Sequence, residues 1–519
     1  MATDMATATG AERRAPHACV IRLLPVLTVA ALAGLSSAAS AQRFFVTPQL
    51  SVRETLSDNI RLESGDAKES DAVTQVTPSI RINRTGAGPL KVNADYQLTA
   101  LFYARNSSAN DLQHHLAASA NYEAINRFLF IDARARIAQE LVDPLGPQPL
   151  SSVNITSNRT ESRSVQVSPY VRGRAAGVAD YLIRYSLTAA NTAAAASSSS
   201  RVQDLTATLN GVRARYGFNW QLDGRSQLVH HTVGADTRTD RGRANLIYRL
   251  NEELEGRVHV GTERNDYTTD SLSARTTYGA GVIWRPGPRT DFQAGWEHRF
   301  FGTGWNLSAR HRTRLMSIQL NGSRDVQTDA ERLIEQGDVT YDILYDALTS
   351  RIPDPVQRDL EARRLLAEGG IPTDLLPGQF ITPRVYVNQR VDGTLALLGA
   401  RNTVTMRAFL TDRRTIVAEE GPNAGIPSLR VKERGFTGNW SHRLTPLSTL
   451  SLIGSWRRAD RDDDAAQSRQ WDARLAYSTR VGPHTSLTLE GRHVDFQADT
   501  ANVSGYRENA ITAGVVVRF

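Results

Sequence analysis

Apolar and polar residues alternate along most of this chain. Val92, Ala94, Tyr96, Leu98, Ala100 and Phe102 fall on one phase, and Asn93, Asp95, Gln97 and Thr99 on the other. A period of two sends successive side chains to opposite faces of a strand, so each such stretch predicts a half-buried strand. Phe292, Ala294, Trp296, His298 and Phe300 oppose Gln293, Gly295, Glu297 and Arg299 in the same way. Trp471, Ala473, Leu475, Tyr477 and Thr479 oppose Asp472, Arg474, Ala476, Ser478 and Arg480. The final stretch sets Ile511, Ala513, Val515, Val517 and Phe519 against Thr512, Gly514, Val516 and Arg518. Taken in order, the segments predict about 22 strands, the first over 48–56. Merging or splitting one weak hairpin, such as 305–310, gives 20 or 24.

The connections alternate short and long. Short ones include 86–89, 125–127, 175–178, 286–289 and 482–484; long ones include 57–70, 141–161, 191–201, 412–430 and 497–507. Each of these long connections follows an odd-numbered strand, and the short 301–304 link is the exception. That alternation is expected of an outer-membrane β-barrel, which has short periplasmic turns and longer outside loops, and a soluble sandwich has no reason to keep it. The predicted fold is therefore all-β: one transmembrane antiparallel β-barrel over 42–519, in the outer membrane of a Gram-negative bacterium, with both termini periplasmic. Trp284, Trp296, Trp440, Trp456 and Trp471 lie on the apolar phase near strand ends, as the aromatic girdles of such a barrel require.

Residues 1–41 read as a secretory signal. Arg13, Arg14 and Arg22 make a basic region, 23–35 an apolar one, and Ala39-Ser40-Ala41 a small-x-small cleavage site before Gln42. The Arg13-Arg14 pair also admits a twin-arginine route, which carries folded cargo and so suits a barrel poorly. The one cysteine, Cys19, lies in this segment, which removes disulfides and thiolate chemistry from the rest. The net charge of +7 is carried mostly by arginine. Two partners answer to it: phosphate on outer-membrane lipid at the barrel rims, or an anionic polysaccharide in the lumen.

Residues 327–383 break the pattern. A short helix is predicted over 339–350, and a second begins at Pro355 after Asp354 and stops at Gly369-Gly370. Parity makes this helical insert an extracellular loop. It either folds into the lumen as a constriction or forms an outside cap. Little else suggests chemistry. Asp462-Asp463-Asp464 lacks the spacing of a calcium loop. Neighbouring histidines in His114-His115 and His230-His231 point to opposite faces of a strand and cannot share a metal. No catalytic residue, cofactor or nucleic-acid partner is assigned, and the chain is read as a non-enzyme. Glu297, Arg299, Arg474, Arg480 and Arg257 fall on polar phases and are the candidate lumen-lining residues of a water-filled channel, or else ladders that hold the wall in shape.

Two resemblances add to this. The ending on Phe519, with Val517, Val515, Ala513 and Ile511 before it, resembles the tag of known outer-membrane barrels that the barrel-assembly machinery reads. The run Phe45-Val-Thr-Pro-Gln-Leu-Ser-Val-Arg-Glu-Thr-Leu-Ser-Asp-Asn-Ile60, then Val76-Thr-Pro-Ser-Ile80, His298-Arg-Phe-Phe-Gly302, Arg310-His-Arg-Thr-Arg314 and Gly399-Ala-Arg-Asn-Thr403 resemble PEP-CTERM system-associated outer-membrane β-barrel proteins. The resemblance implies a porin-like conduit or component for exopolysaccharide or surface-protein export. A non-conducting scaffold for surface assembly is the alternative, and a barrel enzyme would require a Ser or Asp beside a His at the outer rim.

Overall fold

The computed structural model describes residues 44–84, 88–192, 199–212, 216–232, 236–267, 272–327, 339–369, 385–416, 429–462, 466–499 and 503–519. The signal segment with Ala39, Ala41 and Gln42, and the residues Asp463 and Asp464, lie outside them.

The alternating stretches form strands β1 Phe45–Ser57, β2 Asp71–Arg84, β3 Leu90–Tyr103, β4 Asp111–Ile125, β5 Leu129–Leu141, β6 Arg159–Ala175, β7 Ala179–Thr192 and β8 Ser200–Gly211. They continue as β9 Phe218–His231, β10 Thr237–Arg249, β11 Leu254–Asn265, β12 Ser273–Gly287, β13 Thr290–Arg299, β14 Gly302–Arg312 and β15 Met316–Gln327. The remainder are β16 Tyr386–Leu398, β17 Asn402–Thr415, β18 Arg430–Arg443, β19 Ser448–Arg461, β20 Gln467–Arg480, β21 Thr485–Asp499 and β22 Tyr506–Arg518. Each strand pairs antiparallel with the next, and β1 pairs with β22, so the 22-stranded sheet closes on itself. Closure leaves no strand edge to template aggregation. At the seam the Phe519 N–H donates to the Pro48 carbonyl at 3.0 Å.

The weak hairpin at 305–310 is a full strand, β14. Its exceptional short link is a two-residue turn, Phe300-Phe301, entered by β13 and left through Gly302 at φ +93°, a conformation open to glycine and strained for other residues. The other connections keep the predicted alternation except around β9, where the β8–β9 link over 212–217 is slightly longer than the β9–β10 link over 232–236, and parity gives the barrel a long-loop end and a short-turn end.

The two phases part cleanly across the wall. On one, large apolar residues stand exposed: Leu246, Val260, Ile318, Leu410, Leu475 and Ile511 among them. Register carries this phase unbroken around the ring; Val52 pairs with Val515, and Leu452 with Leu475. So continuous an apolar surface is stable in lipid and not in water. Trp220, Trp284 and Trp440 stand on it toward the short-turn end, and Trp296, Trp456 and Trp471 toward the long-loop end. The other phase faces the lumen and carries the polar and charged residues.

The insert holds two helices, α1 Val339–Leu348 and α2 Pro355–Gly369. The second starts at the proline that the sequence marks, because proline at a first helical position lacks only a donor that would have no partner. The insert leaves β15 and rejoins β16 at the long-loop end, as parity requires. Its helices do not sit there.

Candidate functional site: the occupied lumen

The helix pair lies inside the barrel, at the short-turn end. Ile343, Leu344, Ala347 and Leu348 of α1 pack with Ala362 and Leu366 of α2, and both helices press on Ala396 and Leu398. These two wall residues are the last lumen-facing positions of β16. Ala396 pairs with Ser317, the first lumen-facing residue of β15, and both are fully buried under α1. The Ser317 hydroxyl donates to Asp346 at 2.9 Å, and the Arg312 guanidinium reaches the same carboxylate at 3.3 Å. A small patch of apolar contact and one polar clamp therefore hold α1 to the wall.

A hydrogen bond joins the two helices, and ion pairs brace α2. Tyr341 donates to Asp359, which also takes the Arg363 guanidinium at 2.9 Å. Burial and the neighbouring Asp359 push the Tyr341 phenol upward, so it remains neutral at any physiological pH. Glu361 is held below its usual range by its hydrogen bond with Arg364, with Arg443 of β18 contributing through space. Arg363 feels the charge of Asp95 on β3, far around the ring from β16. The pair thus extends from the β14–β16 wall, past β18 and β19, toward β3.

A second segment enters from the other end. The connection expected as a long loop over 141–161 does leave and rejoin the wall at the long-loop end, between β5 and β6, and there it turns inward. Its Leu145 packs with Ala459 of β19, Leu150 with Phe496 and Tyr506, and Val153 with Val73, Leu101 and Tyr103. Leu141, where β5 ends, meets Val431 of β18. Polar contacts fix the loop in place. Asn154 donates to Glu508 at 2.7 Å, the Tyr506 hydroxyl donates to the Gln148 carbonyl at 3.1 Å, and Arg457 donates to the Pro144 carbonyl at 3.3 Å. Glu508, 1% exposed, also accepts from Ser57 at 2.8 Å and Arg492 at 2.9 Å, so it ties the barrel seam to this loop. The signal was in the sequence: Leu145, Leu150, Val153 and Ile155 are too apolar for a loop in open water.

The candidate lumen residues divide between two walls. Arg299 and Glu297 belong to a charged lattice across β10, β11, β13 and β15. Arg299 makes a forked pair with Glu263, at 2.9 and 2.6 Å, and also contacts Asp325. Glu297 takes Arg241 at 2.5 Å and Arg243 at 3.4 Å, with His259 beside it at 3.5 Å. Arg257 shares the lumen phase of β11 with His259 and Glu263. Arg474 is on a different wall, 3.7 Å from Asp472. Arg480 is exposed where β20 ends at the short-turn side. No single ring gathers all five. Arg241, Arg243 and Asp325 complete the lattice, and only the cross-strand register brings them to it.

Arg299 and Glu263 are 7% and 0% exposed. Removing one member of such a buried pair leaves the other charge uncompensated, at about 3–5 kcal/mol. Arg299→Ala is therefore expected to lower barrel stability by about that amount, while replacing Arg299 and Glu263 together by leucine costs much less. Urea titration of the folded barrel in detergent, followed by tryptophan fluorescence, distinguishes the two.

The remaining polar clusters are accounted for locally. Asp462 pairs with Lys432 at 3.0 Å and Arg430 at 3.3 Å. His114 meets Tyr96 at 2.9 Å. His230 and Asp236 are 2.7 Å apart at the long-loop rim, where Asp236 also accepts from the His231 N–H and is held below its usual range by His230. That pair is an Asp beside a His at the rim, the placement a barrel enzyme would require; it closes the β9–β10 turn, and among the described contacts no nucleophile joins it. Among the described residues, no group of three His, Cys, Asp or Glu is placed to hold a metal.

No protein-family model and no curated protein matches this chain. Among solved structures the chain is similar to the outer membrane protein opdK from Pseudomonas aeruginosa, at 9% identity and TM-score 0.33 over 92% of this chain and 99% of that one. It is similar to an anion-selective porin from Comamonas acidovorans, at 10% identity and TM-score 0.32 over 92% and 100% of the two chains. It is also similar to the siderophore receptor PirA from Acinetobacter baumannii, at 8% identity and TM-score 0.44 over 91% and 80%.

Proposed function

We propose that this protein is a gated conduit in the outer membrane of a Gram-negative bacterium, serving export of an extracellular polysaccharide or surface protein alongside a PEP-CTERM type sorting system. One observation carries the gate: a helix pair seated across the lumen, docked through one apolar patch and the Asp346 clamp. The wall does not need it, since every strand is already paired around the ring. An element that leaves the fold intact when it lets go is suited to opening and closing. Outer-membrane lipid meets the apolar belt, and both termini lie on the periplasmic side. The outward row of Ile511, Ala513, Val515, Val517 and Phe519 supports the reading that the assembly machinery recognises β22. The arginines of the lumen favour an anionic polysaccharide.

A non-conducting scaffold is the second reading, favoured by the loop 142–158 crossing the lumen at the opposite end. Deleting the gene in its own bacterium separates the two. A conduit is expected to leave surface polysaccharide or sorted protein trapped in the periplasm. A scaffold would release the same material into the medium, and an unchanged surface would sink both readings.

A further inference from the structure

On the lipid-facing side of β18, β19 and β20, three arginines stand directly side by side. Arg434 pairs in register with Arg458, and Arg458 with Arg469. Like charges at directly opposed positions destabilise a sheet unless something neutralises them. The neutralisation available is incomplete. Among the described residues, Arg458 reaches Asp460 and Gln467, each at 2.8 Å, Arg469 reaches the amide of Gln497 at 3.0 Å and no carboxylate, and no carboxylate pairs with exposed Arg434. At a strand spacing of ~4.8 Å, the row spans about 10 Å.

The next lipid-facing row toward the membrane interior is aromatic: Phe436, Trp456 and Trp471 are mutual register partners and all exposed. Below it come Gly438, Gly454 and Ala473, again in register. These small residues continue into an open cleft of about 660 Å³ in the outer surface, bounded by Leu452, Leu475, Ile511 and Leu56, with Gly491 in its floor and Asp58, His493 and Asn509 along its edge toward the rim, where Asn509 donates to Asp58. Passing from the rim toward the bilayer, the surface changes from a row of cations to a row of rings to an apolar slot.

We infer that this face binds one acylated, phosphorylated glycolipid of the surrounding leaflet. Its phosphates lie on Arg434, Arg458 and Arg469, its sugar rests on the aromatic row, and an acyl chain fills the cleft at Gly491. Arginine forks match phosphate bidentately. Aromatic rings belong at the headgroup level. An apolar slot directly beneath a cationic row suits a molecule that is anionic at one end and acylated at the other, and no free anion would use both. The inference rests on the proposed function only in placing the long-loop end in the outer leaflet.

The test uses the full barrel in neutral-lipid nanodiscs. Diphosphoryl lipid A, the same lipid stripped of phosphate, and phosphatidylglycerol are each titrated and read by native mass spectrometry. Diphosphoryl lipid A is expected to bind with one-to-one stoichiometry. It should bind about tenfold or more weakly to Arg434→Gln/Arg458→Gln/Arg469→Gln, as loss of charge-assisted contacts predicts. Gly491→Leu should weaken both lipid A forms by filling the slot. If the triple variant fails to fold, Arg434→Gln alone, at an exposed position, is expected to show a smaller loss of the same phosphate dependence. Equal binding by wild type and the folded arginine variants overturns the proposal. So does equal affinity for phosphatidylglycerol, which would make the patch a general anionic-lipid surface. Conductance plays no part in the readout, so a failure here is separate from a failure of the conduit.

Discussion

Deleting residues 328–384 and joining β15 to β16 by a short turn is expected to raise single-channel conductance in planar bilayers by at least about twofold. A circular ring of twenty-two strands ~4.8 Å apart and tilted ~40° would be about 44 Å across between backbones, and roughly 30 Å once lumen side chains are allowed for; this is an upper bound, because at the long-loop end Leu141 of β5 meets Val431 of β18 across the lumen. At 1.5 Å per residue the two helices are about 15 and 22 Å long, and each is about 10 Å wide. Lying across the opening they cover about half of it. The wall should survive the deletion, because Ser317 and Ala396 stay paired in the β15–β16 ladder whether or not α1 rests on them. The loop 142–158 still crosses the long-loop end. Hence a variant lacking the insert and also carrying Asn154→Ala, which removes the loop's donor to Glu508 and leaves the Glu508–Arg492 pair intact, should conduct more than the deletion alone. Equal conductance in the full chain and the deletion would show that the helix pair does not limit the path. No conductance from any correctly inserted variant would move the weight to a scaffold.

The barrel was legible because its signal is local and repeated. Each strand carries its own period of two, and each connection its own length, so one unclear segment does not disturb the rest. Even the doubtful β14 was fixed by its neighbours' pairing. The pair of helices was legible for a related reason: Pro355 and Gly369-Gly370 mark boundaries in the chain itself. Where the helices go was not. Parity fixes the ends of the insert, yet Asp346 finds Ser317 and Arg312 through docking at the far end of the barrel, and nothing local encodes that reach. The loop 142–158 stands at the end of the barrel that its length implies, while its inward turn depends on Leu145, Leu150 and Val153 meeting strands far away in the chain. The charged lattice was half legible. Glu297 and Arg299 are alternate residues on one strand, whereas Arg241 and Asp325 reach them only through the register of β10 to β15.

Locking the helix pair should hold the conduit in its resting state. Ser317→Cys with Asp346→Cys replaces a 2.9 Å hydrogen bond by a pair of thiols at the point where α1 meets the wall. The chain's single cysteine, Cys19, lies ahead of the barrel, so no other thiol of the barrel competes. Oxidised, the variant is expected to keep the low conductance of the full chain at every voltage and to block export in cells. Reduction breaks the tether but does not restore the Asp346 clamp. The reduced protein should therefore open more readily than wild type, toward the level of the 328–384 deletion. The order oxidised, then wild type, then reduced follows only if α1 leaves the wall when the path opens. A static plug predicts one conductance for all three. A scaffold predicts normal surface assembly even in the oxidised form, since nothing would need to pass. The disulfide thus asks about motion and the deletion about obstruction, and a gate requires the expected answer from both.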